Sequence, residues 1–290
     1  MYSVLIGHPV NHSVSSVLFK YLNNITLKKD YRHILVNVDN RKALKEEYDL
    51  LFSDHNCLGG NITLPYKLES LHYVKVDKKG KEIGAINTFY RRNKEFIGTN
   101  TDWIGIYSSL LKIKNINKKD VLILGTSGAA RAAICAAKKT AHKVIVAFRN
   151  LEDGSVSEAT ASLLKDSHQK DITMVPYSLV KDILKKVDVI INATSVGMIG
   201  FDRLIPEIYF NIPICKQTKH YIEAVFNPLQ TCMLQQFQKK GYVTVDGLWM
   251  MIYQGIKAFS LWNKCDGLSI NNDQLKKIHS VLQREIEKNG

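Results

Sequence analysis

No apolar run in this chain approaches the roughly 20 residues that a bilayer requires. The opening Met1-Tyr2-Ser3-Val4-Leu5-Ile6 lacks the basic flank and long apolar core of a secretory leader, so no membrane partner and a cytoplasmic address are expected. Cysteine is sparse. Its five copies (Cys57, Cys135, Cys215, Cys232, Cys265) are odd in number and lack paired two-residue spacing, which excludes a zinc ribbon or dithiol motif and leaves ordinary thiols in a reducing compartment. His8 and His12 are four apart, but Pro9 disfavours helix there and the acid and third ligand of a zinc site are missing, so no metal is expected. Internal repeats and low-complexity tracts are also missing.

What is present is ample apolar material. A chain of 290 residues that is 45% apolar exceeds the usual single domain and can bury two cores. Forty basic against 27 acidic residues give a net charge of +13, which raises the question of a nucleic-acid partner. The basic residues fall in short groups (Lys28-Lys29, Lys78-Lys79, Lys118-Lys119, Lys239-Lys240) without a dense tract or interleaved aromatics. No nucleic acid is therefore expected; an enzyme attracting anionic ligands explains the sign equally well.

Periodicity predicts an α/β opening: a strand at Val4–Ile6 ending at Gly7-His8-Pro9, a helix over 15–23, and a strand over 31–38. A helix over 41–53, an apolar piece at 59–64 and the segment 87–90 continue the alternation, and the first domain ends near Asp102. A second alternation follows: strand Val121–Leu124, glycine turn, alanine-rich helix 129–139, strand 143–148, helix 178–186 and strand 187–191. Strand, crossover helix and strand within about thirty residues imply a parallel sheet buried on both faces, over roughly 103–245. Leu248, Met251, Ile252, Ile256 and Phe259 are at helical spacing, and a charged helix spans 272–288. Met250 and Met251 read as core rather than cofactor contacts.

Gly125-Thr126-Ser127-Gly128-Ala129-Ala130-Arg131 follows an apolar strand and opens a helix, the context a dinucleotide fingerprint requires. Ser127 takes the second glycine position and Ala130 the third; small residues there let backbone N–H groups approach a pyrophosphate. Methyltransferases and other α/β proteins use similar turns, so the segment alone leaves the ligand open. Where an NAD enzyme often has an acid about twenty positions on, this chain has Phe148 and then Arg149. An arginine pairs with a 2′-phosphate, favouring NADP, although NAD is possible given Glu152 and Asp153 nearby.

Four groups in the first half put small polar side chains beside predicted turns: His12-Ser13-Val14-Ser15, Gly60-Asn61-Ile62-Thr63-Leu64-Pro65-Tyr66-Lys67, Gly84-Ala85-Ile86-Asn87-Thr88 and Gly98-Thr99-Asn100-Thr101-Asp102. In this order they resemble the motifs of the shikimate dehydrogenase family. The resemblance continues through the Gly125 turn, Asn192-Ala193-Thr194-Ser195-Val196-Gly197-Met198, Asn227-Pro228-Leu229 and Asp246-Gly247-Leu248-Trp249-Met250 with Tyr253-Gln254, nearly the whole chain.

The resemblance implies an N-terminal α/β substrate domain (1–102, completed by 246–290), a Rossmann-type nucleotide-binding domain (103–245), and C-terminal helices returning to the first domain. It implies reversible NADPH-dependent reduction of 3-dehydroshikimate to shikimate in aromatic amino-acid (chorismate) biosynthesis, by a monomer or homodimer. Ser13 and Ser15 would then bond the substrate carboxylate, Thr63, Asn87 and Gln254 its hydroxyls, and Lys67 and Asp102 the oxygen that changes oxidation state. The matching cofactor positions are Gly125, Thr126, Ser127, Gly128, Ala129, Arg149, Asn150, Thr194, Ala224 and Gly247. The chemistry separately asks for a proton-handling pair, because hydride arriving at a ketone leaves alkoxide character on oxygen.

Three positions depart from the family pattern. Ser16 replaces the proline after H-S-x-S, Phe148 the asparagine of N-R-T, and Phe226 a tyrosine before N-P-L. That tyrosine's hydroxyl would touch the substrate carboxylate, so Phe226 implies weaker binding or an altered substrate. The alternatives are a quinate/shikimate dehydrogenase preferring NAD and a non-catalytic ligand-sensing relative; intact Lys67 and Asp102 argue against the second.

Overall fold

The structure, a computed structural model, describes residues 1–150, 154–166, 171–199, 212–265 and 268–289. Glu152 and Asp153 lie outside them. Two compact units emerge: Met1–Ile104 with Ile252–Gly290, and Gly105–Met251.

The first unit contains β1 (Tyr2–Gly7), α1 (Ser15–Ile25), β2 (Arg32–Asn37), α2 (Arg41–Ser53), β3 (Cys57–Ile62), β4 (Lys75–Val76), α3 (Lys78–Ile83), β5 (Thr88–Arg92), β6 (Glu95–Thr99) and the start of α4 (Asp102–Leu110). Helix α2 starts where Asn40 Oδ1 accepts the Ala43 N–H at 3.0 Å, and it buries Leu44, Tyr48 and Leu51 at three- and four-residue spacing. The sheet order is β2-β1-β3-β5-β6-β4. Strand β1 pairs in parallel with β2 and β3, as the alternation predicts, but β5 runs antiparallel to β3 and β6. The second reversal, from β5 into β6, comes from a two-residue turn at Asn93-Lys94, where Asn93 adopts a left-handed φ of 57° that an asparagine tolerates.

Val4, Ile6, Leu44, Ile62 and Phe89 anchor the core of this unit, and a second aromatic group joins Phe19, His33, Phe259 and Trp262. Trp262 Nε1 donates to the Phe89 carbonyl at 2.9 Å. His33 Nδ1 lies 2.6 Å from Ser3 Oγ, and burial holds the imidazole down to about pKa 3. The unfolded imidazole titrates near 6.5, so the unfolded chain binds more protons between those values and stability falls as pH falls. Acid titration should cost this unit up to about 1.4 kcal/mol per pH unit from His33 between pH 6 and 4. Urea unfolding across that range should show a shallower slope in His33→Phe; an unchanged slope refutes the assignment.

The second unit continues α4 and adds β7 (Asp120–Leu124), α5 (Gly128–Lys138), β8 (Lys143–Phe148), α6 (Glu158–Asp166), β9 (Thr173–Pro176), α7 (Val180–Ile183), β10 (Val189–Asn192), β11 (His220–Glu223), α8 (Cys232–Lys239), β12 (Val243–Val245) and the first residues of α9 (Gly247–Asn263). The rest of α9 and α10 (Asn272–Asn289) belong to the first unit, where α10 packs on α1. The contact boundaries fall inside α4, at Ile104/Gly105, and inside α9, at Met251/Ile252.

Every neighbouring pair in the order β12-β11-β10-β7-β8-β9 is parallel, which is the Rossmann arrangement. Alternate residues of β7 enter opposite cores, Val121 and Ile123 on one face and Leu122 and Leu124 on the other, which is why the strand reads as an unbroken apolar run. The helix expected over 178–186 is shorter: a 3₁₀ turn at Tyr177–Leu179 leads into α7, with Val180 and Leu184 buried in the core and Tyr177 and Ile183 packed against it. Among the described residues no helix is long and apolar enough to cross a membrane.

Candidate active site

In the first unit, the candidate substrate residues follow β1, β3 and β6, precede the antiparallel β5, or stand on α9. Ser13 stands on the connection from β1 and Ser15 opens α1; Ser13 Oγ donates to Ser15 Oγ at 3.0 Å and accepts from the Ser15 N–H at 3.2 Å. Thr63 directly follows β3 and is pinned by its N–H to the Ile6 carbonyl at 2.8 Å. Beyond Pro65, the Lys67 carbonyl accepts the Ile86 N–H at 2.9 Å, tying this turn to the segment that carries Asn87.

Asn87 is the hub. Its Nδ2 lies 2.8 Å from Asp102 Oδ1, 3.0 Å from Thr101 Oγ1 and 3.1 Å from Gln254 Oε1, while its Oδ1 accepts the Thr101 N–H at 2.6 Å. Thr101 Oγ1 also reaches Gln254 Oε1 at 3.1 Å, and Asn61 Nδ2 donates to Thr88 Oγ1 at 3.0 Å. The other oxygen of Asp102, Oδ2, lies 2.5 Å from Lys67 Nζ. Side-chain exposure is 15% for Lys67 and 6% for Asp102, so the pair escapes most solvent screening while part of Lys67 remains open to a ligand. An ammonium has three donors, and one bond to Asp102 leaves two for an incoming oxygen.

The second unit carries a cradle at the β7–β10 switch point, the place where open parallel sheets bind ligands. Gly125 has φ +104°, and a Cβ there would lie 2.9 Å from Thr194 Cγ2, so both the turn and the close approach call for glycine. Ser127 does not cap α5; its Oγ donates to the Ala193 carbonyl at 3.2 Å. The N–H groups of Gly128 and Ala129 at the helix start, which the Ser127 side chain leaves uncapped, suit a pyrophosphate, and the helix dipole favours negative charge there. Gly247 opens α9, and a Cβ on it would sit 2.2 Å from the Val225 carbonyl oxygen. Thr126 Oγ1 is 2.8 Å from Thr160 Oγ1. Arg149 projects, exposed, just past β8, next to Asn150, which bridges to Val156. These features fit a dinucleotide.

Phe226 is half-buried after β11, in the second unit. Met250 and Met251 are buried, Met250 within a core cluster of that unit. Ser16 is the second residue of α1 and Phe148 the last of β8. His8 Nδ1 pairs with Asp39 at 3.0 Å.

Sequence reasoning assigned no role to Asn61 or Thr101, although both lie within the quoted motifs. It also missed Glu223, which is fully buried yet carries a carboxyl. Oε1 of Glu223 accepts from Asn192 Nδ2 at 2.8 Å and from the N–H groups of Ala224 and Val225 at 3.0 and 3.1 Å; Oε2 accepts from Tyr221 and Thr231 hydroxyls at 2.8 and 2.9 Å. Burial pushes its pKa up to about 7 against the pull of these donors. A lone acid ending the apolar run Tyr221-Ile222 was the available signal.

The model of the shikimate dehydrogenase substrate binding domain matches residues 5–89. A shikimate dehydrogenase (NADP(+)) of Aquifex aeolicus is 34% identical over 268 residues, covering 90% of this chain and 91% of its own. Its counterpart in Caldicellulosiruptor saccharolyticus is 32% identical over 290 residues, covering 97% and 98%. Among solved structures, a shikimate dehydrogenase in complex with NADP+ superposes with a TM-score of 0.79 at 29% identity, over 99% of this chain and 95% of the other. Two units of matching fold, motifs in matching order and full-length relatives at this identity lead to one conclusion: the chain belongs to the shikimate dehydrogenase family.

Proposed function

We propose that the protein is an NADP-dependent shikimate dehydrogenase, an oxidoreductase that interconverts 3-dehydroshikimate and shikimate in aromatic amino-acid biosynthesis. The observation that carries the reading is the Lys67–Asp102 pair, 2.5 Å apart and oriented by Asn87, with Gln254 and Thr101 at the same hub. Hydride exchange at the ring carbon is the chemistry that NADP would supply when bound. Lys67 Nζ meets the substrate oxygen, donating a proton as alkoxide character grows and, in oxidation, receiving it. Asp102 Oδ2 holds the ammonium in place, and Asn87 keeps Asp102 from turning. Ser13 and Ser15 present paired hydroxyls to the substrate carboxylate, while Thr63, Asn87 and Gln254 hold its ring hydroxyls.

The Gly125 turn, Ser127, Gly128, Ala129, Thr194, Ala224 and Gly247 would hold the dinucleotide, with Arg149 at the 2′-phosphate and Asn150 beside it. The exposed position of Arg149 at the end of β8 supports NADP over NAD. The test is a four-way assay of shikimate and quinate with NADP+ and NAD+, read by reduced-cofactor absorbance. Shikimate with NADP+ should give the highest kcat/KM; no turnover in any combination overturns the reading, and a higher kcat/KM with NAD+ overturns its cofactor assignment.

Phe226 has no hydroxyl to offer the carboxylate. Phe226→Tyr should lower the KM for shikimate about fivefold, the equivalent of one added hydrogen bond of about 1 kcal/mol. An unchanged or raised KM would place Phe226 away from the substrate.

A further inference from the structure

The buried carboxyl of Glu223 has no part in the proton chemistry, yet it joins the backbones of the segments proposed to hold the cofactor. On one side, Oε1 fixes Asn192, whose Oδ1 accepts both the N–H and the hydroxyl of Thr194 at 3.1 and 2.6 Å. Thr194 Oγ1 in turn accepts the Val196 N–H at 3.1 Å. This sets the turn whose Ala193 carbonyl takes the Ser127 hydroxyl and whose Thr194 methyl faces Gly125. On the other side, the same Oε1 accepts the Ala224 and Val225 N–H groups, and the Val225 carbonyl is the surface that leaves room only for glycine at 247. Oε2 reaches Thr231, the N-cap of α8, and Tyr221 on the strand itself.

We infer that Glu223 is a positioning residue for the dinucleotide, its carboxyl setting the spacing between the Thr194 turn and the Ala224–Val225 backbone and so the affinity for NADP. The inference rests on the proposed function for the ligand's identity. Oε1 must stay an acceptor, since all three of its partners are N–H donors that cannot reverse. Oε2 faces hydroxyls, which can rotate to accept, so Gln at this position preserves volume and the Oε1 bonds while turning the Tyr221 and Thr231 side around. Asp retracts the carboxylate by one methylene and pulls every bond.

The experiment measures NADP+ Kd by calorimetric titration without substrate, then KM for NADP+, KM for shikimate and kcat, in wild type, Glu223→Asp and Glu223→Gln. Both the Kd and the KM for NADP+ should rise about tenfold in Glu223→Asp and about threefold in Glu223→Gln, with shikimate KM within twofold of wild type. A Kd within twofold of wild type in both folded variants overturns the inference, as does a fall in kcat with every binding constant unchanged, the mark of a merely structural residue. If neither variant folds, Tyr221→Phe removes a single donor and should still raise the Kd about twofold; no change overturns the inference. Wild type that binds NAD+ in place of NADP+ defeats the cofactor assignment alone, because the variant-to-wild-type ratio is then read with NAD+. Wild type that binds neither overturns both.

Discussion

Lys67→Met is expected to reduce shikimate oxidation by at least about a thousandfold while leaving NADP+ binding within twofold of wild type. Methionine keeps most of the unbranched stem of lysine, so packing survives and the ammonium alone is lost. A positioned proton donor contributes roughly 10²–10⁴ to the rate, and here the lost group also supplies the charge beside the developing alkoxide. NADP+ affinity should be spared because every residue proposed to hold the dinucleotide lies within Gly105–Met251, while Lys67 lies in the other unit. The split between kcat and cofactor Kd, from steady-state rates and calorimetry on the same preparation, separates this role from general damage. Turnover within tenfold of wild type would show that the proton travels by another group.

How much of this was legible in the sequence depends on the range of the interaction. Local periodicity located α2 to the residue and β8 likewise, because Leu44, Tyr48 and Leu51, or the run Val144–Ala147, carry their own pattern. The β5–β6 hairpin was not legible, since its antiparallel course hangs on one left-handed asparagine between two short strands. The helix that the spacing predicts over 178–186 is shorter in the structure because the apolar spacing there is shared between a 3₁₀ turn and a single helical turn. In the candidate site, motif order pointed to Lys67 and Asp102, but not to their arrangement. That Asn87 orients Asp102 while meeting Gln254, 167 residues away, is a consequence of folding that no local spacing encodes. Glu223 illustrates the same limit from the other direction: its partners Asn192 and Thr231 lie 31 and 8 residues away, and in the sequence it is one acid among 27 acidic residues.

Asp102→Asn should damage the protein twice, and the two effects can be pulled apart. The carboxylate accepts on both oxygens, from Lys67 Nζ at Oδ2 and from Asn87 Nδ2 at Oδ1. An amide has one oxygen, so its NH₂ must face either an ammonium or another NH₂, and a donor confronts a donor in a buried site. Removing one partner of a buried pair costs about 3 kcal/mol, because the remaining charge stays buried without compensation. Urea unfolding should therefore show Asp102→Asn destabilised by about that amount, with turnover down at least about a hundredfold. Adding Lys67→Met removes the stranded ammonium, so the double variant should recover to within about 1 kcal/mol of wild type in stability. Its turnover should stay at the level of Lys67→Met alone, since residues acting as one unit are lost only once. Stability restored with activity still absent is the signature of a pair whose charges serve the reaction; a double variant destabilised by the sum of its parts would mean that Lys67 and Asp102 act independently.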